Sequence, residues 1–258
     1  MIGWVFRPSK PMRTVIVVPT YNERENIGPL CGEVHRITEG DVDILIVDDN
    51  SPDGTGEAAD RMARECDSIL VIHRADKQGL GRAYVAGFRW ALDNRYDLIV
   101  QMDADLSHNP VYLPLLIETA SAGKVAVGSR YVKGGGVSDW NWRRVFLSKA
   151  ANRYVGLILR MPIHDATGGY RSYPREALIA IGLDNLFSNG YAFQVETAYR
   201  LFQSGFELVE IPIVFADRKL GCSKLDSKVI WEAIRTPWRL RIWEARKWLG
   251  IKPPPLIQ

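Results

Sequence analysis

Five short runs of almost purely apolar residues constrain this chain more than any other feature. They lie at 15–18, 43–47, 69–72, 98–102 and 125–127, and helix-like stretches separate them. Val and Ile dominate, without the polar alternation that a one-sided sheet would show. Such strands belong to a parallel sheet covered on both faces. The alternation of strand and helix indicates an α/β fold with a doubly wound, mostly parallel sheet. In such sheets ligands bind beyond the carboxyl ends of the strands. Three of those ends are polar and acid-rich: 19–23, 48–55 and 103–105. Further helices are expected near 143–159, 174–181 and 193–204, and a late strand at 209–214, where Pro212 favours an edge position. Gly134, Gly135 and Gly136 read as a mobile loop.

The chain of 258 residues has a formal charge of +3, but the charge is unevenly placed. Residues 218–252 hold ten basic and three acidic side chains, together with four of the eight tryptophans. Basic residues interleaved with Trp suit an interface with anionic lipid headgroups. In a helix over 238–249, Trp238, Ile242, Ala245 and Leu249 share one stripe, which either meets a membrane or packs on the protein's own core. No nucleic-acid-binding motif accompanies the charge, so nucleic acid is not expected as a partner. No run approaches the roughly 18 apolar residues of a membrane span, and no signal peptide is evident. A cytoplasmic protein, peripheral on the cytosolic face of a membrane, is therefore expected. Cys31, Cys66 and Cys222 are widely spaced and read as reduced thiols. The expected division is an N-terminal extension (1–13), a catalytic domain (14–226) and a basic, Trp-rich helical segment (227–258).

The acid clusters carry the chemistry. Asp103-Ala104-Asp105 directly follows an apolar strand. Two carboxylates one residue apart at a strand end suit a hard divalent cation, which takes one or two protein carboxylates together with substrate phosphates. The plainer reading is that Asp105 caps the next helix. Asp48, Asp49, Ser51, Pro52, Asp53 and Gly54 form a similar cluster, equally readable as a turn and a helix cap. A carboxylate there is placed to accept from a base N–H or a ribose hydroxyl. Several nucleotide and hydrolase motifs are missing. There is no G-x-x-x-x-G-K-[ST]; Gly79-Leu80-Gly81 lacks the third glycine of G-x-G-x-x-G; and there is no G-x-S-x-G. His35, His73, His108 and His164 lack H-E-x-x-H spacing and read as structural.

Taken together, several segments resemble family 2 glycosyltransferases, and among them the polyprenol (dolichol) monophosphate mannose synthases. These are Pro19-Thr20-Tyr21-Asn22-Glu23-Arg24-Glu25-Asn26, Val47-Asp48-Asp49-Asn50-Ser51-Pro52-Asp53-Gly54-Thr55, Asp103-Ala104-Asp105-Leu106-Ser107-His108, Gly128-Ser129-Arg130-Tyr131, Asp165-Ala166-Thr167-Gly168-Gly169-Tyr170-Arg171, Gly190-Tyr191-Ala192-Phe193-Gln194, and Asp217-Arg218 with Gly221-Cys222-Ser223-Lys224. The resemblance covers about residues 14–225. It implies a nucleotide-sugar glycosyltransferase (GT-A type) fold with a C-terminal amphipathic helical appendage. It further implies that Pro19, Tyr21, Glu23, Val47 and Asp49 line the nucleotide site. Asp103, Ala104 and Asp105 would carry Mg²⁺ or Mn²⁺ on the diphosphate. Arg130, Arg144, Arg218 and Lys224 would serve phosphate-bearing ligands, with Asp105, Arg130 and Arg144 as the catalytic set. Ser107 stands where the family commonly has Gln, so a water or an altered metal preference is expected there.

The implied reaction is an inverting transfer of mannose from GDP-mannose to a polyprenyl monophosphate. The acceptor is largely dianionic near neutral pH, its second pKa being about 6, and is itself the nucleophile, so no general base is nominated. Docking on the membrane would fall to the C-terminal segment, directly or through an integral membrane partner. A UDP-sugar-dependent glucosyl- or N-acetylhexosaminyl-transferase is the nearest rival on this fold. A non-catalytic nucleotide-sugar-binding subunit is the rival from another class.

Overall fold

A computed structural model describes residues 12–188, 190–216 and 227–248. The elements follow in chain order: β1 (Thr14–Thr20), α1 (Arg24–Thr38), β2 (Asp43–Asp48), α2 (Thr55–Glu65), β3 (Ile69–His73), α3 (Leu80–Asp93), β4 (Leu98–Gln101), α4 (Leu113–Ser121), β5 (Val125–Ser129), β6 (Gly136–Val137), α5 (Trp142–Leu159), β7 (Arg171–Pro174), α6 (Arg175–Ile181), α7 (Gly190–Gln203), β8 (Leu208–Pro212), β9 (Val214–Phe215) and α8 (Ser227–Trp248).

Every residue of β1 is buried, because successive side chains enter different cores. Val15 and Val17 pack with α3 residues such as Phe88, whereas Ile16 and Val18 pack with α1 and α4 residues such as Ile27 and Leu116. A continuous apolar run is the signature of a strand covered on both sides. The α3 helix lies so close to β1 that a Cβ on Gly87 would come within 2.3 Å of Val17 Cγ1.

Among the described residues, seven strands form one sheet in the order β3-β2-β1-β4-β7-β5-β8. β1, β2, β3 and β4 are mutually parallel, as are β5 and β8. The unexpected member is β7, antiparallel to both β4 and β5. The local sequence hides it, because Arg171-Ser172-Tyr173-Pro174 is not an apolar run. Arg171 is fully buried, donating to Gln194 O, Thr197 Oγ1 and Ala166 O. β8 lies at the edge of the sheet and ends at Pro212.

One expectation needs correction, and one of two open readings is decided. The Gly134–Gly136 segment is not merely a loose loop: Gly136 and Val137 form β6, parallel to β9, and Gly136 N–H donates to Ile213 O. The stripe on the C-terminal helix also does not face the core. α8 packs against α7 and α5 through fully buried Leu240 and buried Thr236, while Trp238 and Ile242 are exposed. Leu249 lies outside the described residues.

Candidate active site

The chain runs from β1 outward to β2 and β3, then returns to place β4 on the other side of β1. The topological switch point therefore lies between β1 and β4, where an open sheet presents its ligand crevice. The three acid-rich strand ends, those of β2, β1 and β4, are neighbours there and run parallel.

Backbone donors tie the first two ends together. The Asn22 N–H donates to Ser51 Oγ at 3.1 Å, and the Glu23 N–H to Thr55 Oγ1 at 3.0 Å. Asp48 is buried and structural, accepting from Thr20 Oγ1 and from the Ser51 hydroxyl and N–H. Asp49 sits beside it, and Arg74 Nη1 donates to its Oδ1 at 2.5 Å. Burial raises the Asp49 carboxyl above its usual range, and the Arg74 charge opposes that shift. The ammonium of Lys77 lies 3.7 Å from the Tyr21 ring centroid. Arg74 and Lys77 were not among the expected site residues. Both follow the third strand, whose end holds cations among the acids, a contrast visible in the sequence at residues 74–77. Pro19 is buried in β1 opposite Val47 of β2. The Val47 side chain lies in the core against α3, so only its backbone is placed toward the crevice.

The end of β4 is held from three directions. Tyr84 of α3 donates its hydroxyl to Asp103 Oδ1 at 2.5 Å. Burial first, and the neighbouring Asp103 second, push the Tyr84 phenol well above its ordinary value, so it acts as a donor. The Asp103 N–H donates to His108 Nδ1 at 3.0 Å, and the His108 ring stacks on Tyr170 with centroids 4.8 Å apart. Asp105 Oδ1 accepts from both the N–H and the hydroxyl of Ser107, at 3.1 and 2.5 Å. This closure sets Leu106 at φ 61°, a left-handed conformation that costs a branched residue about 1–2 kcal/mol. Ala104 is buried between the two acids. Asp103, Asp105 and Ser107 thus form one oxygen-rich turn.

The arginines converge from the far side of the sheet. Arg130 follows β5 and makes a forked pair with fully buried Asp165: Nε to Oδ2 and Nη2 to Oδ1, each 2.7 Å. Burial alone would raise the Asp165 carboxyl. The hydrogen bonds and charge of Arg130 outweigh that and hold it below the usual carboxylate range. Arg144, in the first turn of α5, lies with its guanidinium carbon 3.9 Å from the Trp140 ring centroid, and that of Arg130 is 5.5 Å from the same ring. Phe215 packs edge-on against both Trp140 and His108, at 5.7 and 5.6 Å. Aromatic contacts therefore connect the arginine cluster to the Asp103–His108 turn. Arg218 and Lys224 lie outside the described residues.

The profile of glycosyl transferase family 2 matches residues 15–182, which contain this whole constellation up to Arg171. The chain belongs to glycosyl transferase family 2. This family 2 chain is 49% identical over 230 residues to a polyprenol monophosphomannose synthase of Mycolicibacterium smegmatis, covering 88% of this chain and 86% of that protein. It is 43% identical over 243 residues to an undecaprenyl-phosphate mannosyltransferase of Micrococcus luteus, covering 93% and 98%. Its fold is similar to that of a mannosyltransferase from Pyrobaculum calidifontis solved with GDP-Man and Mn²⁺, at TM-score 0.57 and 18% identity, covering 96% of this chain and 67% of that one.

Proposed function

We propose that this family 2 enzyme transfers mannose, with inversion, from GDP-mannose to a polyprenyl monophosphate, releasing GDP. The observation that carries the reading is the placement of Asp103 and Asp105 at the switch point, against a cluster holding Arg130 and Arg144. The names of the two relatives support the sugar and the lipid acceptor. The ligand of the Pyrobaculum protein supports the guanine donor.

Among the described residues, no group of three or more His, Cys, Asp or Glu side chains forms a metal cluster. Two carboxylates and a hydroxyl suit Mg²⁺ or Mn²⁺ shared with substrate phosphates better than a closed protein cage. Asp103 and Asp105 would hold the ion, with Ser107 orienting Asp105. When bound, the ion supplies Lewis-acid stabilisation of the departing diphosphate.

The protein's own residues do the rest. Tyr21, Glu23 and Asp49 line the crevice where the nucleoside would sit. Asp165 holds the Arg130 guanidinium in one orientation while offsetting part of its charge. Arg144 adds a second cation in the same cluster. Donors fixed before reaction stabilise developing charge without reorganising. Attack by the acceptor phosphate opposite the leaving group gives a β-linked product.

Labelled GDP-mannose and UDP-glucose, each incubated with a short polyprenyl phosphate and Mg²⁺, test the reading. Incorporation from GDP-mannose alone is expected. Incorporation from UDP-glucose alone would refute the mannose assignment, and none from either would favour a binding subunit. Tyr84→Phe is expected to weaken Mn²⁺ affinity in the presence of GDP by roughly 10–100-fold, the usual effect of removing an outer-shell partner. Free Mn²⁺ measured by EPR reads this directly, and an unchanged titration would show that Tyr84 merely packs.

A further inference from the structure

Gln194, on α7, belongs to a motif that the chemistry above leaves without a role, and it lies beyond the residues 15–182 that the family profile matches. Its side chain ends a buried polar relay. The Tyr173 hydroxyl of β7 donates to Gln101 Oε1 at 2.7 Å, and Gln101 Nε2, at the end of β4, donates to Gln194 Oε1 at 2.9 Å. Tyr173 and Gln101 are fully buried, and Gln194 is 3% exposed. Burial raises the Tyr173 phenol above its ordinary value, against the opposing charge of Arg171, so it keeps its proton. Arg171 can only donate, so the Tyr173 proton turns to Gln101. That fixes the Gln101 amide, which in turn fixes the Gln194 amide, with Oε1 taken up by the relay and both Nε2 protons left to serve something else.

That amide lies beside the acid turn. A Cβ on Gly169 would stand 3.2 Å from Gln194 Nε2, 3.5 Å from His108 Cε1 and 3.7 Å from Gln101 Nε2. The bare glycine thus keeps the space in front of the amide open. His108 accepts from the Asp103 N–H, and Gln101 stands two residues before Asp103. Tyr84, whose hydroxyl donates to Asp103, stacks on Phe193, the neighbour of Gln194, with centroids 6.1 Å apart. Among the described residues the Gln194 Nε2 protons meet no acceptor. A bridge that merely tied β4 to α7 would leave them unpaired in a buried side chain, which folded chains avoid. A ligand oxygen removes that cost.

We infer that Gln194 reads the hexose of the sugar nucleotide, its Nε2 donating to one hydroxyl of the sugar that is transferred. The inference rests on the reaction proposed above and adds to it a residue that selects the sugar. A hydroxyl is the ligand, and not a phosphate, because the relay is neutral from Tyr173 through Gln101 to Gln194. The phosphates have Arg130 and Arg144, whereas an uncharged donor held in one orientation suits an uncharged oxygen. A site built to hydrogen-bond a hydroxyl also rejects an analogue that lacks it, since its own buried donor is then left unpaired. The fixed polarity of the relay is what gives the amide this selectivity, because a Gln194 side chain able to turn over would accept as readily as donate.

The test is displacement of labelled GDP from the Mn²⁺-loaded full chain by GDP-mannose and by a set of deoxy analogues, each lacking one hydroxyl of the hexose, with no acceptor present. Gln194→Met removes the donor at similar volume. Gln194→Glu, assayed at about pH 8 where the carboxylate is ionised, removes the donor while keeping an acceptor for Gln101 Nε2, and it carries the test if the first variant fails to fold. Each is expected to bind GDP-mannose roughly threefold to tenfold more weakly and GDP as the parent does. Each should also stop distinguishing one analogue that the parent binds roughly tenfold more weakly than GDP-mannose, while the other analogues keep their order. The parent's full analogue pattern retained in either folded variant overturns the inference, and so does equal weakening of GDP, the mark of a merely structural bridge. In the transfer assay, a loss confined to the KM for polyprenyl phosphate would place the amide at the acceptor and overturn it too. Because displacement needs no acceptor, its failure is distinct from failure of the transfer reading.

Discussion

Mannose transfer is expected to fall by about a thousandfold or more in Asp105→Asn, with the melting temperature moved by no more than about 2 °C. A thousandfold loss is about 4 kcal/mol of transition-state stabilisation, within what a bound ion supplies to a departing diphosphate. The Asn side chain keeps an oxygen for the Ser107 N–H and hydroxyl, which hold the turn in the parent chain at 3.1 and 2.5 Å. Geometry is thus preserved while the charge is removed. Single-turnover kinetics at saturating GDP-mannose, across a range of Mn²⁺, separate weaker metal binding from lost catalysis. A rate within tenfold of the parent would leave Asp105 as no more than a turn residue.

Asp165→Ala is expected to act through stability as well as turnover. It strands the Arg130 guanidinium, whose side chain is nine-tenths buried, without its fully buried counter-charge. Breaking one partner of a buried pair costs about 3–5 kcal/mol, so a chain of this size should melt roughly 6–20 °C lower. The pH dependence has a definite sign. The native Asp165 carboxyl titrates below its ordinary value because Arg130 overcomes the effect of burial. Its contribution is therefore complete above the unfolded carboxyl value of roughly 3.9 and is lost as pH falls through the lower native value. The stability gap between parent and variant, followed by denaturant unfolding, should be constant from pH 5 to 7 and shrink below about pH 4. A gap that widened on acidification would contradict the pairing.

The legible part of this fold is its parallel half. Strands such as β1 and β2 are covered on both faces, so burial leaves an unbroken apolar run. The polar ends that follow them mark the crevice because the winding rule brings those ends together. The antiparallel β7 was hidden because its fully buried Arg171 is held through its two terminal nitrogens by backbone and hydroxyl acceptors more than twenty residues away, in addition to Ala166 O. The pairing of β6 with β9 was likewise hidden, since two strands of two residues each leave no period to detect.

At the site, the carboxylates were visible as motifs, but their supports were not. Tyr84 reads as one more aromatic on a core helix, and only the packing of α3 over β4 directs its hydroxyl at Asp103. His108 is structural in the sense its isolation suggests, yet it holds the backbone of a proposed metal residue. Arg130 was read as a cation for ligands, whereas its first partner is Asp165, thirty-five residues later. Local pattern identifies which residues carry charge, and tertiary contact decides which charges remain to be shared with a substrate.

The most direct test of the metal claim is an anomalous difference map from crystals grown with Mn²⁺ and GDP. The account predicts one strong peak bridging the diphosphate and the carboxylates of Asp103 and Asp105, beside Ser107. A nucleotide bound elsewhere, or bound at this edge with no anomalous peak between its phosphates and those two acids, would contradict it.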